Sequence, residues 1–314
     1  MMNFNPLTLG RACATAWPRP EFILGPLQAG DVGMISGADG LGKSWVAMAA
    51  GLSVAVGKSV CNGMWDVPPR VTGRVLMFCV EDREADHGRR LAAMVKHCRL
   101  AGEIGRVEDD DDSLTLIPLH GQRLPLVQKS GDQYQVTAEG EAWAKQIQGY
   151  RLVIIDPLRA FHNLDESDGA GMDFLIRWLV SVAMKNDQVI LLVHHASQGA
   201  ILDRRGDHHA GRGATDLPAG CRAVWTLRAG LKEDDGTRWR ELVNGKASHG
   251  AESNTKYLRP GIGGVLYCAE PPTTEKAKAS TQLARAVRGM GNEYQAAKDG
   301  QRAPALVGGE DDWE

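Results

Sequence analysis

Gly37-Ala38-Asp39-Gly40-Leu41-Gly42-Lys43-Ser44 decides how this chain is read. The octet follows an apolar run, Val32–Ile35, and leads into a helix-compatible stretch, Trp45–Val56. The pattern G-x-x-x-x-G-K-[ST] between strand and helix curls successive backbone N–H groups towards one point. A helix N-terminus adds its positive dipole there, and Lys43 adds a full charge. Such a loop cradles the β- and γ-phosphates of a nucleoside triphosphate. Gly37, Asp39, Gly40, Leu41, Gly42, Lys43, Ser44 and the following Trp45 are the candidate nucleotide-binding residues. The Ser44 hydroxyl is placed to ligate Mg²⁺, which prefers oxygen and keeps several waters. The bland alternative is a Gly-rich turn with an incidental Lys; the strand–loop–helix context favours the cradle.

The 314 residues suffice for one large domain or two small ones, and 37 glycines suit many strand–helix turns. The formal net charge of −3 means that any nucleic-acid contact must come from a local patch. Cys13, Cys61, Cys79, Cys98, Cys221 and Cys268 form no C-x-x-C pair. They read as reduced thiols of a cytoplasmic chain, neither disulfides nor zinc ligands. No apolar stretch reaches membrane-spanning length and Met1–Pro18 lacks a signal-peptide core, so no membrane partner is expected.

Apolar runs at 32–36, 75–80, 114–117, 152–155 and 189–193 read as strands buried on both faces. Helical periods lie between them: Leu91, Met94, Val95, Cys98, and then Met172, Leu175, Ile176, Leu179. This alternation predicts a doubly wound α/β domain. Asp109–Asp112 reads as a solvated loop, because four consecutive carboxylates cannot all face one ion. Leu124–Val136 reads as a hairpin around Ser130-Gly131-Asp132, with Thr137 capping the next helix. After about residue 220 the pattern turns to strands at Ala223–Leu227, Trp239–Val243 and Val265–Tyr267. The expected organisation is an irregular N-terminal arm (1–20), an ATPase domain (21–270) and a flexible tail (271–314).

Three more strand ends carry chemistry. Leu152–Ile155 ends in Asp156, a carboxylate suited to the Mg²⁺ shell rather than one that merely ends a strand. Val75–Val80 ends in Glu81, the candidate base for an attacking water; its alternative is a cap of the next helix. Val189–Val193 ends in His194-His195, of which one imidazole, His195 for preference, could contact the γ-phosphate or the water. A zinc site with His208 and His209 is the weaker alternative, for want of a suitably spaced Cys or carboxylate.

Together these residues resemble the RecA-like fold, and within it the RepA-type hexameric replicative helicases of broad-host-range plasmids and related mobile elements. The resemblance runs from about Pro20 to Ala269. It is carried by Gly40-Leu41-Gly42-Lys43-Ser44, Glu81-Asp82, Asp156-Pro157-Leu158-Arg159-Ala160-Phe161-His162, His194-His195-Ala196-Ser197-Gln198-Gly199, Arg212-Gly213, Arg222, and Gly245 to Ala251. The 124–136 hairpin and the long tail depart from the family pattern. The resemblance implies a RecA-like P-loop core with a mostly parallel central sheet and C-terminal antiparallel strands. It further implies ATP and Mg²⁺ as cofactors and a homo-hexameric ring with ATP between neighbours. Arg222 would act as an arginine finger in trans, Lys246 would point at the same trans site, and Arg90 would contact the nucleotide. Single-stranded DNA would thread past loops at 159–171 and 196–213, the latter with Arg204, Arg205 and Arg212. Primase or initiator proteins of the same replicon are further candidate partners. The segment WxxPxFxLGPL from Trp17 to Leu27 is compatible with an arm packing on a neighbour.

The expected function is therefore ATP-driven translocation on, or unwinding of, single-stranded DNA in replication of a mobile element. The alternatives are a RecA-like ATP-switched assembly or regulatory ATPase and a small-molecule P-loop kinase. A kinase would need an Arg-rich lid and an acceptor pocket, and would gain nothing from Arg222 in trans.

Overall fold

A computed structural model describes residues 6–68, 71–108, 111–195, 216–233, 235–248 and 255–271. The chain divides into Met1–Ala269 and Glu270–Glu314, and only residues 270 and 271 of the second unit are described. The elements run α1 (Leu9–Ala14), β1 (Phe22–Leu24), β2 (Leu27–Gln28), β3 (Val32–Gly37), α2 (Lys43–Val56), β4 (Val75–Cys79), α3 (Glu84–Leu100) and β5 (Leu114–Pro118). There follow β6 (Val127–Ser130), β7 (Gln133–Val136), α4 (Ala138–Gln146), β8 (Leu152–Asp156), β9 (His162–Asn163), α5 (Gly169–Asn186) and β10 (Val189–His195). The last are α6 (Asp216–Gly220), β11 (Ala223–Lys232), β12 (Arg238–Ala247), β13 (Thr255–Pro260) and β14 (Leu266–Cys268).

Among the described residues the main sheet has nine strands in the order β14-β13-β12-β11-β3-β10-β8-β4-β5. From β11 to β5 every pairing is parallel; β12, β13 and β14 continue the sheet antiparallel. The expected fold class is thus the observed one. Both faces of the parallel half are covered, which explains the unbroken apolar runs. On β8, Leu152 and Ile154 pack under α2 and α3, while Val153 and Ile155 join the core of α4 and α5. β5, the edge strand, is only half-buried along its length.

The hairpin forms as read, with Gly131 at φ +60° in its turn. Thr137 accepts the Gly140 N–H at 2.9 Å, a cap worth about 1 kcal/mol. Three expectations change. Residues 9–14 of the arm form a helix, because Thr8 caps it by accepting the Arg11 N–H. Within the Trp17–Leu27 segment, Ile23, Leu24 and Leu27 are fully buried in this chain's own core, so the apolar part of that motif is used internally. The 159–171 loop is not free: β9 pairs with β6 of the hairpin, and Tyr134 donates to Asp168, the cap of α5, at 2.6 Å.

Candidate functional site

Gly42, at φ +96°, turns the chain from the loop into α2, so that the first helical residues are Lys43 and Ser44 rather than Trp45. Only a residue without Cβ enters that region at low cost. Gly37 is constrained by space: a Cβ there would stand 2.6 Å from the carbonyl oxygen of Leu227 on β11. The loop is also held from outside, since Arg240 Nε on β12 donates to Leu41 O at 3.0 Å. Sequence reasoning missed Arg240, because no local motif marks it; its role follows from β12 lying beside β11. The Trp45 indole lies beside Gly42 and Gly264.

Lys43 is 5% exposed. Its Nζ donates to Gly37 O and Ala38 O, both at 2.9 Å, and lies 3.6 Å from Asp39 Oδ1. Burial pulls the ammonium below its ordinary pKa, and the carboxylates of Asp39, Asp156 and Glu81 oppose that pull. The charge is folded onto the loop's own carbonyls, the partners that an incoming phosphate would replace.

β10 pairs with β3 so that His194 sits opposite Ser36 and His195 opposite Gly37. His195 Nδ1 bonds the Asp39 carboxylate and lies 3.3 Å from Lys43 Nζ, while Nε2 lies 3.1 Å from Glu81 Oε1. The His195 bond holds the Asp39 carboxyl below its ordinary range. His194, one residue earlier on the strand, points the other way. Its Nδ1 is buried without a partner, and burial keeps the ring neutral by lowering its pKa.

β8 delivers Asp156, 5% exposed, beside the Ser44 hydroxyl, which favours its charged form. Burial pushes its pKa up to about 6. A buried carboxylate beside a hydroxyl, at the mouth of a phosphate cradle, fits a divalent ion that takes few protein oxygens and shares the rest with phosphate and water. Among the described residues no group of three His, Cys, Asp or Glu side chains could hold a metal on its own.

Glu81 lies two residues beyond β4 and is half exposed. It is not the cap of α3, where Arg83 occupies that position without a side-chain bond. Arg90, on α3, is held by Asp82 at 2.6 Å. Lys43, Ser44, Asp39, Glu81, Asp156 and His195 are thus gathered at the C-terminal rim of the parallel strands, the edge at which such sheets bind ligands.

Arg222 and Lys246 are not brought there. Arg222 N donates to Val32 O, at the start of β3, and Lys246 pairs with Val224. Both lie at the sheet edge opposite the cradle. Lys246 Nζ donates to Pro218 O and Ala219 O at 3.1 and 2.7 Å, while Arg222 is 59% exposed, 3.9 Å from Asp31. Arg204, Arg205, Arg212, His208 and His209 lie outside the described residues. In the acidic run, Asp111 bonds Ser113 N and Asp112 pairs with Arg74, as in a solvated loop. No described helix is long and apolar enough to cross a membrane.

A family model described as an AAA domain matches residues 3–200, which takes in the cradle, Glu81, Asp156 and the His194-His195 rim. With a phosphate cradle at the switch between β3 and α2 and a carboxylate rim beside it, the chain belongs to the AAA domain family of P-loop ATPases.

Proposed function

We propose that this ATPase forms a homo-hexameric ring and couples ATP hydrolysis to translocation on, or unwinding of, single-stranded DNA in replication of a mobile element, as RepA-type helicases do. One observation carries the reading: Arg222 and Lys246 lie together at the sheet edge opposite their own cradle. They can serve a cradle only by reaching that of another copy. Head-to-tail contact of copies is heterologous, and it closes into a ring when the rotation permits.

In this reading the cradle N–H groups and Lys43 hold the β- and γ-phosphates, while Ser44 and Asp156 hold Mg²⁺. Mg²⁺, when bound, neutralises charge on the phosphate oxygens. Glu81 takes the proton of the attacking water, and His195 orients Glu81 while sensing the γ-phosphate through Lys43. Arg222 of a neighbour stabilises charge on the transferring phosphoryl group, with Lys246 beside it. Arg90 and Trp45 flank the nucleotide, and Arg204, Arg205 and Arg212 meet the DNA backbone. Primase or initiator proteins of the replicon would be further partners. The second reading, an ATP-switched assembly ATPase without unwinding, is favoured by the net charge of −3, which gives the chain as a whole no attraction for nucleic acid.

ATP turnover with and without single-stranded DNA, measured beside particle mass in solution, tests the proposal. The expected result is a ring whose turnover rises with DNA. A ring indifferent to DNA supports the second reading, and a monomer that phosphorylates a metabolite overturns both.

A further inference from the structure

Beside the cradle lies a hollow of about 410 Å³ between the ends of β4, β5 and β8. Glu81, His120, Gln122, Arg123, Pro157 and Arg159 line it. Arg123 donates to Arg159 O at 3.1 Å, which sets two guanidinium-bearing residues side by side on one wall. Arg123 pairs with no carboxylate among the described residues, and the nearest to Arg159 is Glu166, 3.8 Å from Nε. Arg159 Nη1 also donates to His162 O at 3.4 Å, and the donors that remain on these two lining arginines match a phosphate, whose oxygens take paired N–H bonds. The His120 ring, also in the lining, bonds Glu81 O at 3.0 Å, so the hollow is tied to the backbone of the candidate base.

His162 is fully buried, and its Nδ1 accepts the Leu164 N–H at 3.2 Å. Its proton therefore sits on Nε2, which has no partner and lies 3.8 Å from Glu166 Oε1. Glu166 stands between Arg159 and His162 at 3.8 Å from each, bonded to neither. A buried donor without an acceptor is costly, and one small movement of Glu166 would satisfy it.

We infer that the hollow is a phosphate-binding site built on Arg123 and Arg159, and that its occupant draws Arg159 from Glu166 and leaves Glu166 to His162. His162 follows the short turn after β8, and Glu81 lines the hollow itself, so occupancy is felt directly at the base. No Phe, Tyr or Trp side chain lines the hollow, and its one ring, His120, is tied to Glu81 O, so the group recognised is a phosphate or phosphodiester and no base is read. The proposal rests on the reading above only in taking single-stranded DNA as one source of that phosphate; a small phosphate ester is the other.

The test measures binding of a labelled oligodeoxythymidylate by anisotropy, and of inorganic phosphate and thymidine monophosphate by calorimetry, to the full chain and to Arg123→Gln, Arg159→Gln and Arg159→Lys. For DNA as the source, each Gln variant should weaken oligonucleotide binding about tenfold and lower the log–log salt slope by about 0.7 per lost contact. Arg159→Lys should recover part of the affinity. Glu166→Gln, which removes the competitor for Arg159, should tighten binding. If the parent chain ignores the oligonucleotide but binds thymidine monophosphate through Arg123 and Arg159, the phosphate site stands and the translocation reading fails. Oligonucleotide binding that all Arg variants keep overturns the site and leaves the translocation reading intact. A parent chain that binds none of the three probes overturns the site as well. Arg123→Gln reads the hollow independently if Arg159→Gln does not fold.

Discussion

His195 Nε2 and Glu81 Oε1 lie 3.1 Å apart although β8 separates their strands in the sheet. The contact passes over the strand that carries Asp156, and the other nitrogen of the same ring, Nδ1, meets Lys43 and Asp39. One imidazole thus joins the group that would hold the γ-phosphate to the group that would activate water. Glu81→Gln should keep nucleotide binding and lower turnover by about 10²–10⁴. Single-turnover hydrolysis checks this, and an unchanged rate would remove Glu81 from the mechanism.

Lys43→Ala should abolish nucleotide binding or turnover, because the only buried ammonium of the cradle is lost while Gly37 O and Ala38 O lose their donor. Gly37→Ala should have a similar effect without touching charge, since the added methyl would meet Leu227 O at 2.6 Å and displace the loop. Fluorescent-nucleotide titration reads both; a Gly37→Ala chain with parental affinity would show that the approach of β11 is not needed.

Arg222→Ala should keep ATP binding and lower turnover by about 10³–10⁵, the effect expected of an arginine finger. Mixing Arg222→Ala with Lys43→Ala subunits should restore part of the activity, because some interfaces then join an intact cradle to an intact finger. Mixtures that stay inactive at every ratio would count against action in trans.

Asp156 makes a prediction about pH. Its folded pKa, raised to about 6, exceeds the ordinary carboxyl value of 3.8, so the folded chain holds a proton that the unfolded chain releases. Stability from this group is full below about pH 4 and is lost as pH rises to about 6. Asp156→Asn should therefore stabilise the nucleotide-free chain at neutral pH by about 1–3 kcal/mol while destroying metal-dependent turnover. Thermal unfolding at pH 5 and pH 8, with and without Mg²⁺ and nucleotide, measures it. A variant no more stable than the parent at pH 8 would mean that the buried carboxylate carries no such cost.

The sequence showed the strands that are buried on both faces, because such strands are short, mostly apolar runs that lead into glycine or polar residues. The hairpin was equally legible, since Gly131 and Thr137 act through local backbone geometry. β13 was not: Thr255-Lys256-Tyr257-Leu258-Arg259-Pro260 has one buried residue, and it is a strand because β12 and β14 flank it. β9 has two residues and no pattern at all, which is why the segment after Asp156 read as an open loop. Asp39, Lys43 and Ser44 were found by the glycine-loop motif, and Glu81, Asp156 and His195 because each follows or ends an apolar run. Their mutual contacts, and the opposite location of Arg222, depend on strand order and direction, which no single run encodes.

β11 has a consequence for communication. Arg222 stands immediately before its first residue, and Leu227, five residues on, backs against Gly37 of the cradle. At about 3.3 Å per residue the two ends are roughly 17 Å apart along one extended segment. A hydrogen-bonded strand locked between β3 and β12 stretches little, so a push on the cradle wall arrives at the far end as a push on Arg222. In an assembly of such chains the wire between successive sites would be this single strand, and its stiffness would set how faithfully one site hears the next.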